Sequence, residues 1–298
     1  MSGSLKNLAD SNSARHDGVE EKMKFSVITI TYNSGKTLEE TIQSVAAQTY
    51  DNMEYLIIDG GSTDNTVEII KRYPEAVTHW ISEPDRGISD AFNKGIRLAT
   101  GDMICLINSD DILAEDALQR VARKVKPETD ILYGNAIYFG ENQKNFRVRP
   151  HESLDYIRKG MALVHPATFV RKRAYEQYGY FDLGYKCAMD RELLLRMYLG
   201  GAKFQYVDED LAWMRLGGVS IQSFFGTTVP EDRAISIKYG MDPALAKLYG
   251  MKMALKFRVA RFVRKFPFGD LVRKYFHAKT TDLNVPNDGP TKKREEKT

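Results

Sequence analysis

From residue 23 onward, apolar positions come in short continuous runs separated by segments of helical period. Residues 24–31 form a β-branched run that stops at Tyr32-Asn33-Ser34-Gly35, and 37–48 then carry Leu38, Ile42 and Val45 at helical spacing. A second run, 53–58, is closed by Asp59-Gly60-Gly61-Ser62-Thr63-Asp64, with a helix predicted over 64–72. A third, 77–81, ends at Glu83-Pro84-Asp85-Arg86-Gly87. Helix 88–99 follows with Ile88, Ala91, Phe92, Ile96 and Ala99 on one period. The fourth run, 103–107, leads into Asn108-Ser109-Asp110-Asp111. This alternation predicts an α/β fold: a mostly parallel central sheet with helices on both faces.

The pattern changes after Asp130. Strands are predicted at 131–138, 146–149, 203–207 and 211–214, a short helix at 171–178, and a helix at 190–199 with Leu193, Leu194 and Met197 on one side. The two glycines of Arg215-Leu216-Gly217-Gly218-Val219-Ser220 suggest a loop able to close over a ligand. Over 244–265, Leu248, Met251, Leu255, Val259 and Phe262 form one apolar stripe. Lys247, Lys256, Arg258, Arg261, Arg264 and Lys265 lie mostly off it. Pro267 interrupts the pattern; Leu271, Val272, Tyr275 and Phe276 continue it beside Arg273 and Lys274. A basic amphipathic segment of this kind reads as a membrane-surface helix, the alternative being a helix packed on the body with a solvated basic face. The expected organisation is a disordered leader (1–22), a catalytic domain (23–228), a basic amphipathic helical extension (229–280) and a disordered tail (281–298).

At 298 residues, 43% hydrophobic and 28% charged, the chain suits one domain with appendages, or at most two. Its net charge of +3 gives no reason to expect a nucleic-acid partner. Cys105 and Cys187 make no disulfide framework. No apolar run approaches the ~18 residues of a membrane span, and the N-terminus lacks the apolar core of a signal peptide. The expected location is the cytoplasm.

The candidate chemistry sits where strands end. In open α/β sheets, ligands bind beyond the carboxyl ends of the strands. Asn33, Asp59, Arg86 and Asp110/Asp111 would converge there, although each taken alone also reads as a turn or cap residue. Adjacent aspartates repel, and a hard divalent ion that also holds phosphate oxygens would satisfy them. Asp190 opens a predicted helix; it can serve as an N-cap, as a proton acceptor, or as both.

Taken in order, Thr31-Tyr32-Asn33, Asp59-Gly-Gly-Ser-Thr-Asp64, Glu83-Pro-Asp-Arg-Gly87 with Asn93-Lys-Gly95, and Asn108-Ser-Asp-Asp111 resemble family 2 glycosyltransferases of the GT-A type, a Rossmann-like sandwich. The resemblance continues through His165-Pro-Ala-Thr168, Ala188-Met-Asp190 with Leu193-Leu-Leu-Arg196, and Met214-Arg-Leu-Gly-Gly-Val-Ser220, spanning about residues 23–225. It is nearest the bacterial subgroup that builds O-antigen, capsule or exopolysaccharide. It implies an inverting transferase that moves a sugar from a nucleotide-diphosphate sugar to a lipid-linked saccharide, peripheral on the inner face of the cell membrane through residues 244–280.

The same resemblance implies residue roles. Thr31, Tyr32 and Asn33 would line the nucleotide end, Asp59 and Arg86 would contact the base, and Asp110 would touch ribose or metal. Asp111 would bind Mn²⁺ or Mg²⁺ and Asp190 would be the catalytic base. Apart from the resemblance, the chemistry of the residues suits Arg215, ahead of the Gly-Gly loop, to neutralise phosphate when that loop closes, and His165 to contact the acceptor or to be a core histidine. Two departures stand out. Met189 occupies the place where the family often has Glu before the base, and Leu216-Gly217 stands where many members have a metal-ligating His. Other readings are a sugar-phosphate nucleotidyltransferase, which the lack of a Gly-rich triphosphate loop after the first strand disfavours, and a non-catalytic membrane-associated binding subunit.

Overall fold

The computed structural model describes residues 22–140, 144–217, 223–263, 281–282 and 285, with backbone only for 260–263 and 281–282. The first half is built as the pattern predicts. Strands β1 (Phe25–Thr31), β2 (Met53–Asp59), β3 (His79–Ser82) and β4 (Met103–Asn108) run parallel in the order β4-β1-β2-β3. Between them lie α1 (Leu38–Ala46), α2 (Thr66–Lys71) and α3 (Ile88–Leu98). Strand β1 is buried on both faces, as expected for a central strand sandwiched between helical layers. Phe25 and Val27 face the layer of α1 and α2 with Leu38, Ile42 and Ile69, whereas Ile28 and Ile30 face α3 with Ala91, Phe92 and Ile96.

Beyond β4 the sheet is mixed rather than parallel. After β5 (Ile112–Leu113) and α4 (Ala117–Lys124) come β6 (Ile131–Phe139), β7 (Phe146–Val148), β8 (Thr168–Arg171), α5 (Lys172–Tyr178), α6 (Met189–Leu199) and β9 (Phe204–Arg215). Strand β8 runs antiparallel to both β4 and β6, β7 antiparallel to β6, and β9 parallel to β6. The two strands expected at 203–207 and 211–214 are one, because β9 continues through a register irregularity opposite Tyr133–Asn135 instead of turning. The extension holds α7 (Val229–Lys238) and α8 (Pro243–Val263). Thr281–Asp282, at the head of the segment expected to be disordered, form a short strand β10 on β7. Residues 1–21, 218–222 and 264–280 lie outside the described residues.

Packing explains two motif residues. A Cβ on Gly95 would sit 2.5 Å from Ile28 Cγ2 and 3.2 Å from Ile58 Cγ1, so glycine lets α3 lie directly on the sheet. Buried Asn93 accepts from Phe181 N and donates to Phe181 O, both at 2.9 Å, which ties α3 to the loop before α6.

Candidate active site

The register of the sheet gathers the site. Thr31 lies beside Asp59, Asp59 beside Ser82, and Ile30 beside Asn108, so the four loops leave one edge together. Asn33 takes a positive φ of 49°, a conformation asparagine tolerates. Its Oδ1 accepts from Thr63 N at 2.9 Å and its own N donates to Ser62 Oγ at 2.7 Å. Asn33 therefore locks the first turn to the second.

Asp59 has a similar structural task. It is fully buried and accepts from Ser62 N (2.9 Å), Gly61 N (3.2 Å), Ser82 Oγ (2.6 Å) and Ser62 Oγ. Asp59 has no exposed surface, so the direct contact with the base that the resemblance implies requires the loop around it to move. Other groups are available there. Tyr32 is 63% exposed at the lip, and the Thr31 hydroxyl is buried at the strand end without a partner among the described residues. An orphaned buried hydroxyl calls for an occupant to satisfy it. Arg86 is largely exposed and pairs with Asp90 at 3.1 Å across one helical turn.

The paired aspartates follow β4. Asp111 is buried and accepts from Asn108 Nδ2 and Arg215 N, each at 3.0 Å. Burial, then the charge of Asp110, pushes its pKa up. Burial also raises Asp110, while Arg215 pulls it down. Arg215 donates to Asp110 O at 3.2 Å, pairs with Glu40 and lies over the Phe139 ring at 4.6 Å, so it stands beside the aspartates. Two crowded carboxylates with raised pKa values fit a divalent cation, which would lower both. Among the described residues no set of three or more His, Cys, Asp or Glu forms a metal cage, so Asp110 and Asp111 would share such an ion with substrate oxygens.

Across the site, Asp190 is the second residue of α6. Its Oδ1 accepts from Arg191 N at 2.7 Å, and burial pushes its pKa up to about 6. It lines a small cavity with His165, Thr168, Tyr175 and Phe181. His165 packs on Phe92 (5.5 Å between ring centroids) and Phe181 (6.3 Å), and burial holds its pKa down at about 4. It is thus a neutral ring in an aromatic setting next to Asp190, not an open surface group. Tyr138 was missed in the sequence. It reads as one more apolar strand residue, yet the charges of both Asp111 and Asp190 reach its phenol and add to the burial that pushes its pKa up. Strand β4 links the two regions: Leu106, two residues before its end at Asn108, lines the cavity that Asp190 also lines.

A model of glycosyl transferase family 2 matches residues 26–196, which includes all four strand-end loops and Asp190. The chain belongs to glycosyltransferase family 2. It is 31% identical over 180 residues to a PGL/p-HBAD biosynthesis glycosyltransferase of Mycobacterium bovis, covering 58% of this chain and 69% of that one. Among solved structures it resembles S. aureus TarS, with a TM-score of 0.57 at 21% identity over 83% of this chain and 44% of the TarS chain. The mannosyltransferase PcManGT of Pyrobaculum calidifontis, solved with GDP-Man and Mn²⁺, gives a TM-score of 0.60 at 18% identity over 87% of this chain and 81% of that one. At these identities the two structures share the fold, and the family membership rests on the sequence match. This glycosyltransferase thus carries the GT-A-like α/β architecture expected of it.

Proposed function

We propose that this glycosyltransferase moves a sugar from a nucleoside-diphosphate donor to an acceptor hydroxyl by a single inverting displacement. The observation that carries the reading is a pair of carboxylate centres served by one strand: Asp110/Asp111 follow the end of β4, and Asp190 lines a cavity that reaches the same strand at Leu106. Tyr32 and the unpaired Thr31 hydroxyl suit the nucleoside end, with Arg86 at the lip and Asp59 and Asn33 holding the loops that shape it. Asp111 and Asp110 would hold Mn²⁺ or Mg²⁺ against the donor diphosphate, where the ion would offset charge developing on the leaving group. Arg215 adds a fixed positive charge at the same corner.

Asp190 accepts the proton of the acceptor hydroxyl as that oxygen bonds to the anomeric carbon. The bond from that carbon to the diphosphate oxygen breaks, and its electron pair leaves with the nucleoside diphosphate. A pKa near 6 keeps Asp190 ionised at neutral pH yet more basic than an ordinary carboxylate.

The acceptor is read as a lipid-linked saccharide of a cell-surface polysaccharide, met at the inner face of the membrane. Helix α8 supports this. Leu248, Met251 and Leu255 are 47%, 60% and 63% exposed, and the helix packs on the body through its opposite side, with Ala246 buried and Phe257 stacked on Phe224 at 4.0 Å. Lys247, Lys252, Lys256 and Arg258 share the helix with that free apolar stripe, a combination suited to anionic lipid. No helix among the described residues is long and apolar enough to cross a membrane.

The test is a panel of UDP-, GDP- and dTDP-sugars with Mn²⁺ and lipid extract, scored for nucleoside diphosphate release and for the anomeric configuration of the product. One donor consumed in a metal-dependent way with inversion supports the reading. Retention of configuration would refute the single displacement.

A further inference from the structure

Asp190 is held from both sides by a helix that begins nearly forty residues later. The N–H groups of Lys186, Cys187 and Ala188, the three residues leading into α6, all donate to the carboxylate of Glu231 in the first turn of α7, at 2.8, 2.9 and 2.9 Å. Amides at a helix N-terminus lack partners within the helix and call for an acceptor. Ala188, at the cap position, has no side chain to provide one. Glu231 supplies it from another element, and its negative charge suits the positive end of α6.

On the far side of Asp190, the fully buried guanidinium of Arg191 donates to Ile157 O (3.0 Å), Arg158 O (2.9 Å), Asp232 O (2.7 Å), Asp232 Oδ1 (3.0 Å) and Ser236 Oγ (2.8 Å). Two adjacent residues of α7, Glu231 and Asp232, therefore grip the chain on either side of Asp190. This grip lies outside the 26–196 stretch shared with the family model.

We propose that Glu231 is a positioning residue of the transfer reaction: by collecting the three amides ahead of α6 it fixes the backbone from which the base Asp190 projects. This rests on Asp190 being the base. The groups facing Asp190 are its neighbour Arg191, which favours the charged form, Glu231 and Asp232 of α7, which carry like charge, the Cys187 thiol ahead of α6, Tyr138 of β6, and the neutral ring of His165 across the cavity. Glu231 thus acts on both the placement of Asp190 and its proton affinity.

The probe is release of nucleoside diphosphate from whichever UDP- or GDP-sugar of the panel the full chain turns over. Glu231→Ala is expected to lower kcat by about 10²-fold, the scale of a misplacement near 1 Å, with donor KM and melting temperature unchanged. Glu231→Gln keeps the volume and one acceptor oxygen but removes the charge. It should move the acid limb of the kcat profile, and the ¹³C titration of the Asp190 carboxyl, to lower pH, and Glu231→Asp should recover part of the lost kcat. Unchanged kcat in Glu231→Ala, or an unmoved Asp190 titration in Glu231→Gln, would overturn the proposal. So would a parallel loss of donor binding and melting temperature, which would mark Glu231 as a general structural residue. Asp190→Asn separates the two layers. If it still transfers sugar, the base assignment fails; if it is inactive while the Glu231 variants behave as wild type, only the positioning role fails.

Discussion

Asp190 is a residue whose environment opposes its charged form and whose proposed task requires that form. With a folded pKa of about 6, kcat/KM should fall as pH drops below that value, following the loss of one proton-accepting group. The same shift has a thermodynamic consequence. Its pKa is raised above the ordinary 3.8, so its stabilising contribution is complete below the unfolded value and is lost as pH rises through about 6. Asp190→Asn should therefore melt higher than wild type at pH 8, by an amount equivalent to ~1–3 kcal/mol, and lose that advantage near pH 4. Asp111→Ala should abolish the gain in nucleoside diphosphate affinity that Mn²⁺ gives the wild type, a loss of about tenfold or more by calorimetry. Both residues were legible from short motifs at strand and helix ends. Asp59 shows where such reading stops: three of its bonds come from Gly61 and Ser62 in the adjoining loop, but the fourth comes from Ser82, which only the sheet register brings near. Tyr138 was invisible for the same reason.

Among the elements, the parallel half was legible because each strand is a short apolar run and each helix keeps its period. The later half was not. Strand β9 is interrupted by Asp208, Glu209 and Asp210, which in sequence resemble a turn, yet Asn135 and Arg147 bond Asp208 and Asp210 and keep the strand extended. Helix α4, with Leu118 and Val121 buried, was not foreseen. Helix α7 buries Asp232, Ile235 and Ser236, so its packed face holds a single apolar residue and leaves no helical stripe in the sequence. Gly95 offers a test at this scale. Gly95→Ala places a methyl 2.5 Å from Ile28, so α3 must shift from the sheet. The expected cost is ~1–3 kcal/mol in denaturant unfolding, the range of overpacked cores.

For the whole molecule, the proposed positioning residue Glu231 and the proposed membrane-facing stripe fall on successive helices of the extension, α7 and α8. Truncation after residue 240 removes the exposed stripe of α8 but keeps Glu231, Asp232 and Ser236. It should abolish sedimentation with anionic vesicles while leaving donor turnover in place, whereas truncation at residue 228 should lose both. Leu248→Asp with Leu255→Asp in the full chain should weaken vesicle binding. In the wild type that binding should itself fall with added salt, as expected for Lys and Arg beside anionic lipid. The most direct measurement compares wild type with Asp190→Asn for transfer from the active donor and, by calorimetry, for binding of its nucleoside diphosphate in the presence of Mn²⁺. Transfer reduced by ~10² to 10⁴-fold with nucleotide affinity unchanged is the expected result for a general base on the acceptor side. Transfer intact in Asp190→Asn would contradict that role.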